Sequence, residues 1–251
     1  MGIAKNLLRF VLKSTRYELA VKQERLPAAT LDTLKLVFPV LFQMQPQLNY
    51  VQVGAYDGQT DDPAHEFVRT GKMRCLLVEP IEASYLKLRK IYDPTPNVTL
   101  VQAAVGATDG QATMYKVRAG TPSQSIHSGG WTSFDKAHLI KHKVPENEIE
   151  TVTVPCLTLG TLLKNHGLAN IDILQIDTEG FDAEIVKMAL QLPAIPAAIN
   201  FENIHLSLAA KDELYELLTG RGYLFTHDKY NTLALHRRVL ENLPGLLPHP
   251  A

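Results

Sequence analysis

Four strings in the sequence end an apolar run on a carboxylate. Val51-Gln52-Val53-Gly54-Ala55-Tyr56-Asp57-Gly58 passes through a small-residue turn to Asp57, and Val78-Glu79-Pro80 presents an acid 25 residues after Gly54. Ile173-Leu174-Gln175-Ile176-Asp177-Thr178-Glu179-Gly180 delivers two carboxylates at alternate positions beside a glycine. Phe201-Glu202-Asn203-Ile204-His205 adds an acid and an imidazole. Open α/β sheets bind ligands outside the carboxyl ends of their strands, so acids in such places point to chemistry on a single rim. Gly54 and Ala55 leave room for a ligand to approach the backbone closely. A dinucleotide site asks for G-x-G-x-x-G, whose amides face a pyrophosphate. Here the spacing is G-x-x-x-G with Asp57 inside it; that acid repels a pyrophosphate and attracts an ammonium or sulfonium. Glu79 lies near the ~20-residue offset at which a carboxylate accepts hydrogen bonds from ribose hydroxyls. Each string also has a plainer reading, as a glycine turn that only ends a strand or as a solvated acid at a strand's end.

The elements that would position these groups alternate in type. Strands are predicted over 50–53, 74–78, 98–105, 171–176 and 197–201, with helices over 63–70, 82–92, 161–166 and 182–190 between them, which is the rhythm of a parallel sheet covered on both faces. Asp61, Asp62 and Pro63 start the first helix, Gly71 stops it, and Pro94 ends the second. A helix over 209–219 and an antiparallel hairpin of 223–227 with 232–236 complete the sheet. Two extra strands, 111–117 and 151–157, bracket a polar stretch, 118–150, that is rich in serine and glycine and holds the single Trp131. A stretch of that length within a domain is usually functional, and it reads as a cover over an acceptor or as a subunit contact. The resulting division is an N-terminal helical extension over 1–45, a main domain over 46–237 and a C-terminal tail over 238–251.

Composition narrows the class of protein. The 251 residues are 45% hydrophobic and 20% charged, with 25 Lys plus Arg against 26 Asp plus Glu, so net charge gives no case for a nucleic-acid partner. Cys75 and Cys156 stand far apart, which argues against a disulfide framework or a CxxC site and fits a reducing, cytoplasmic home. No apolar run approaches the ~20 residues of a membrane-spanning helix. Within residues 1–25, Lys5, Arg9, Lys13, Arg16, Lys22 and Arg25 outweigh Glu18 and Glu24. They suggest an amphipathic helix that packs on the domain or on a second subunit, leaving a homodimer open, with an anionic surface as the alternative.

The same strings carry a family resemblance. VGAYDG at 53–58, VEP at 78–80, VTLVQAAVG at 98–106, DILQIDTEGFDAEIV at 172–186 and NFENIH at 200–205 make residues 45–237 similar to FkbM-type S-adenosylmethionine-dependent methyltransferases. IDTEG is the most family-specific of them. The resemblance implies a Rossmann-like class I methyltransferase fold: an α/β sheet of seven mostly parallel strands, the last antiparallel, with helices on both faces. It also implies S-adenosylmethionine as cofactor and O-methylation of a hydroxyl on a sugar, glycan or secondary metabolite. Gly54, Ala55 and Asp57 would lie by the methionine part of the cofactor and Glu79 by its ribose, with Pro80, Ile81, Ala103 and Ala104 flanking the adenine. Tyr56 stands where the family usually has an asparagine-like turn residue.

Methyl transfer to an alcohol needs alignment and, because the alcohol is a weak nucleophile while protonated, a base. Asp177, Glu202 and His205 are the candidates; a divalent ion held by Asp177 and Glu202 is the alternative, and oxygen ligands suit Mg²⁺. His127, Trp131 and Glu179 are assigned to the acceptor side, Trp131 with a packed tryptophan as the equal alternative. His138 and His142, one helical turn apart, read as a solvated helix face in preference to a metal pair. Two rivals remain: a nicotinamide-dependent oxidoreductase, disfavoured by the missing G-x-G-x-x-G, and a non-catalytic nucleoside-binding module.

Overall fold

The computed structural model describes residues 33–45, 47–124 and 131–241. In chain order its strands are β1 (Asn49–Val53), β2 (Arg74–Val78), β3 (Val98–Val101), β4 (Ala104–Val105), β5 (Gly110–Val117), β6 (Thr132–Ser133), β7 (Ile149–Leu157), β8 (Ile173–Ile176), β9 (Ala198–Glu202), β10 (Tyr223–His227) and β11 (Asn231–His236). The helices are α1 (Thr33–Met44), α2 (His65–Arg69), α3 (Glu82–Tyr92), α4 (Lys136–Lys141), α5 (Leu159–Asn165), α6 (Asp182–Ala189), α7 (Leu208–Gly220) and α8 (Arg237–Leu240). The basic stretch 1–25 and the tail after Leu243 lie outside the described residues.

Seven strands form one sheet in the order β3-β2-β1-β8-β9-β11-β10. All are parallel except β11, which runs antiparallel to β9 on one side and β10 on the other. This is the α/β sheet of seven mostly parallel strands, the last antiparallel, that the family resemblance implies. From β1 the chain winds to β2 and β3 on one side, and β8 and β9 occupy the other. The β1/β8 seam, Tyr50 opposite Ile173 through Val53 opposite Ile176, is therefore the switch point where a ligand crevice opens.

Alternation along the strands fills both faces. Val51, Val53, Leu76, Val78, Leu174, Ile176, Ile199 and Phe201 face one way, against Leu162, Ile185, Val186, Leu214 and Leu218 of α5, α6 and α7. Tyr50, Cys75, Leu77, Ile173 and Ala198 face the other way, against Leu34, Phe38 and Leu41 of α1, Val68 of α2, and Leu88 and Tyr92 of α3. Cys75 and Cys156 are both free and buried.

The single strand expected over 98–105 is in fact two. β3 follows β2 as far as Val101; the chain then leaves the main sheet, and Ala104-Val105 pairs with Cys156-Leu157 of β7. Hydrogen bonding decides this, because β2 ends at Val78, opposite Val101, while β7 offers a free edge whose Leu157 carbonyl also accepts from the Gly106 amide at 3.0 Å. A second sheet, β4-β7-β5-β6, results. Its long β5/β7 ladder, Gly110 opposite Cys156 to Val117 opposite Ile149, carries β6, α4 and a short 3₁₀ turn at Glu146–Glu148 within the stretch expected to be a cover. Residues 125–130 of that stretch lie outside the described residues.

Candidate active site

The crevice has two walls. On the β1/β2 side, the Gly54 and Ala55 amides both donate to the Val78 carbonyl at 3.0 Å. Gly54 takes φ +81°, and a Cβ placed there would stand 1.7 Å from the carbonyl oxygen of Asp177. The glycine is thus required by the backbone of the neighbouring loop, a reason different from the ligand approach that its place in the string suggested. Tyr56 follows at φ +46°, the left-handed region that asparagine tolerates better, and its amide donates to Glu79 Oε2 at 2.9 Å. Glu79 Oε1 accepts from the Ile81 amide at 2.8 Å. Burial pushes the Glu79 carboxyl up to about 7, against the pull of those two amides.

Asp57 closes the turn. Its carboxylate accepts from the Thr60 amide and hydroxyl, each at 2.8 Å, and from the Gln59 amide at 3.0 Å. Partial burial would raise its pKa, but those hydrogen bonds and Lys87 outweigh it and hold it below the usual carboxylate value. Ile81 and Ala104 share a small apolar cluster with Met114, Val154 and Cys156; Ala103 is buried beside it in the chain and Pro80 half-buried. The proposed cofactor residues therefore lie around the ends of β1, β2 and β3.

A buried acid that prefers to stay neutral makes stability depend on pH. Glu79 binds more protons folded than unfolded between pH 4.5 and about 7, so its contribution is complete below that window and lost as pH rises through it. Urea unfolding of the wild type, measured relative to Glu79→Gln, should show a loss on the order of 3 kcal/mol across that range. Parallel pH curves for the two proteins would remove Glu79 as the source.

On the β8/β9 side, Asp177 is solvent-exposed at the crevice although protein surrounds it on most sides. That enclosure, with the charges of Glu202, Asp182 and Glu179, raises its carboxyl well above the usual range. Glu179 adopts φ +54°, and its Oε2 lies 2.9 Å from His138 Nε2 and 3.4 Å from His205 Nε2. Burial opposes ionisation of Glu179, yet the two imidazoles win and bring it to about 2. His205 Nε2 also stands 3.0 Å from Glu202 Oε2 as an ion pair, and that oxygen has no hydrogen-bond donor. Burial would lower the pKa of His205, but the two carboxylates push it up to about 9.

Two groups that the sequence did not single out for chemistry organise this side. Asp182 is buried, and its Oδ2 accepts from the Thr178 hydroxyl at 2.9 Å and from the Thr178 and Gly180 amides at 3.4 Å. Its Oδ1 accepts from the Glu202 amide at 3.3 Å, so it fastens the loop after β8 to the end of β9. The available signal was its position just after the glycine, at the start of α6. His138 and His142 do lie at the helical spacing expected, on α4 and its C-cap, but the solvated-face reading is overturned. His138 is buried, and both rings pack on His205, with centroids 4.4 and 5.2 Å away. α4 turns inward because Leu139 packs with Val117, Val144 and Ile149 of the small sheet's core. Trp131 is half-buried against that cluster with its ring 4.6 Å from His142, and His127 lies outside the described residues.

Sequence comparison matches the methyltransferase FkbM domain to residues 52–225. The chain belongs to the FkbM methyltransferase family. No curated protein matches it at a significant level. Among solved structures, it is similar to methyltransferase FkbM from Methylobacillus flagellatus KT, with 14% identity, a TM-score of 0.46, and 76% of this chain and 44% of that one covered. The chain thus spans less than half the length of that protein. It is also similar to precorrin-6y C5,15-methyltransferase from Geobacter metallireducens GS-15 (14% identity, TM-score 0.41, 84% and 91% covered). A third is the O-methyltransferase from Bacillus cereus in complex with SAH (15% identity, TM-score 0.39, 86% and 88% covered). No helix among the described residues is long and apolar enough to cross a membrane.

Proposed function

We propose that this protein transfers a methyl group from S-adenosylmethionine to a hydroxyl of a sugar, glycan or small metabolite. The observation that supports the reading most is the division of one crevice into two chemically distinct walls, with Glu79 in a loop of small residues on one side and Asp177, Glu202 and His205 on the other. Glu79 spends one acceptor site of each oxygen on a backbone amide, which leaves two of about four for the ribose hydroxyls. Gly54, Ala55 and Asp57 border the methionine end, and the apolar wall of Ile81, Ala103 and Ala104 beside Pro80 suits the adenine.

Transfer from sulfonium to oxygen is an in-line displacement that neutralises the cofactor's positive charge, so the protein's work is alignment in a dry site plus removal of the acceptor's proton. Asp177, open to the crevice, takes that proton in its ionised form, and the same surroundings that raise its pKa make that carboxylate a stronger base than an ordinary aspartate. His205 stands between Glu179 and Glu202, 3.4 and 3.0 Å from their carboxylate oxygens; it positions these carboxylates and is given no part in taking the proton. Trp131, on the same side, contacts the acceptor.

Calorimetry tests the reading. The protein should bind S-adenosylmethionine, and Glu79→Ala should weaken that binding by about 1–3 kcal/mol, the range for removing hydrogen bonds to a charged group. Binding of NADH in place of S-adenosylmethionine would overturn the proposal.

A further inference from the structure

We propose that His138, His142, Glu179 and His205 form a binding site for a divalent transition-metal ion, with Zn²⁺ the best match. One ligand atom from each residue lies within 4.8 Å of all the others; this is the one such group of three or more metal-ligating side chains among the described residues. Ligands on a tetrahedral ion with bonds of about 2.0–2.1 Å stand roughly 3.4 Å apart, so side-chain adjustments alone close the set. Glu179 Oε2 is already central, 2.9 Å from His138 Nε2 and 3.4 Å from His205 Nε2.

A second observation is independent of that clustering. Three buried side-chain atoms among the described residues have no hydrogen-bond partner, and two of them belong here: His142 Nε2, on one of the four residues, and Glu202 Oε2, 3.0 Å from His205 Nε2. Native interiors rarely leave such atoms unsatisfied, and a cation held among these side chains gives the lone pair of His142 Nε2 its partner and the Glu202 carboxylate a nearby charge. The donor set also selects the metal. Three imidazoles with one carboxylate suit Zn²⁺ and its first-row neighbours, whereas Mg²⁺ prefers oxygen alone, so the Asp177 and Glu202 pair considered for Mg²⁺ gives way to a nitrogen-rich set beside it.

Four protein ligands fill a tetrahedron, the closed arrangement of structural zinc sites. The ligands come from α4 and its C-cap, the loop after β8 and the loop after β9, so the ion ties the small sheet's helix to the rim of the main sheet. The inference does not require methyl transfer, because metal binding is read directly.

The test uses the full chain, stripped with a chelator and titrated with Zn²⁺ and with Co²⁺ as a spectroscopic probe. One equivalent of either should bind, Co²⁺ should show the intense visible bands of a four-coordinate site, and Zn²⁺ should raise the melting midpoint where equal Mg²⁺ does not. His142→Ala should weaken Zn²⁺ binding at least about tenfold and abolish the thermal shift. Since His142 is only half-buried, that variant keeps the test informative even if His138→Gln fails to fold. Absence of stoichiometric Zn²⁺ binding, equal binding of Mg²⁺, or wild-type affinity in His142→Ala would overturn the site.

Discussion

Replacing Gly54 with alanine is expected to cost the folded protein about 3 kcal/mol or more. Two terms add. A non-glycine residue at a left-handed φ of +81° carries strain of about 1–3 kcal/mol. A Cβ within 1.7 Å of the Asp177 carbonyl oxygen must also push backbone away, and overpacking of a tight interior costs a further 1–3 kcal/mol or so. The obstacle is main chain on both sides, where no rotamer change helps. Urea unfolding measures the effect as a shift of midpoint at constant slope. A variant within about 1 kcal/mol of wild type would mean that the β1 and β8 loops do not meet as described.

The largest loss of turnover is expected from Asp177→Asn. The substitution preserves size and removes the proton acceptor, so kcat should fall by about 10²–10⁴, the usual contribution of a placed base. Cofactor affinity should stay near wild type, because the proposed cofactor contacts lie on the other wall. Glu202→Gln should lower kcat less, as it touches His205 and does not take the proton. Methyl transfer from labelled S-adenosylmethionine, once an acceptor is in hand, separates the two effects. Full activity in both variants would end the assignment of this wall to the reaction.

Much of the scaffold could be read from the sequence because it depends on short-range patterns. The apolar runs at 50–53, 74–78 and 171–176 end where glycine, proline or acid must begin, and α3 has the bounds that Ile81 and Pro94 impose. The strand ends carry their acids as the strings suggested. What escaped was set by contacts between distant residues. A six-residue helix such as α4 is too short for its periodicity to say which side is buried; Leu139 decides, by packing on the small sheet. The break after Val101 depends on an edge that β7 offers about fifty residues later. Asp57 looked like a free acid, but its partners, the amides and hydroxyl of the next turn, leave no trace in a string of residue types.

The seam between β1 and β8 has a consequence for how the chain folds. The Tyr50 hydroxyl reaches Gln175 across 125 residues of sequence, and the whole small sheet lies inside that span. Closing so long a loop costs entropy before any contact repays it, and sheets built on such pairings fold slowly. The two walls of the crevice sit on opposite sides of that seam. Neither can work until β8 has slotted in between β1 and β9, so a nascent chain that has exposed only its first 150 residues holds half a site.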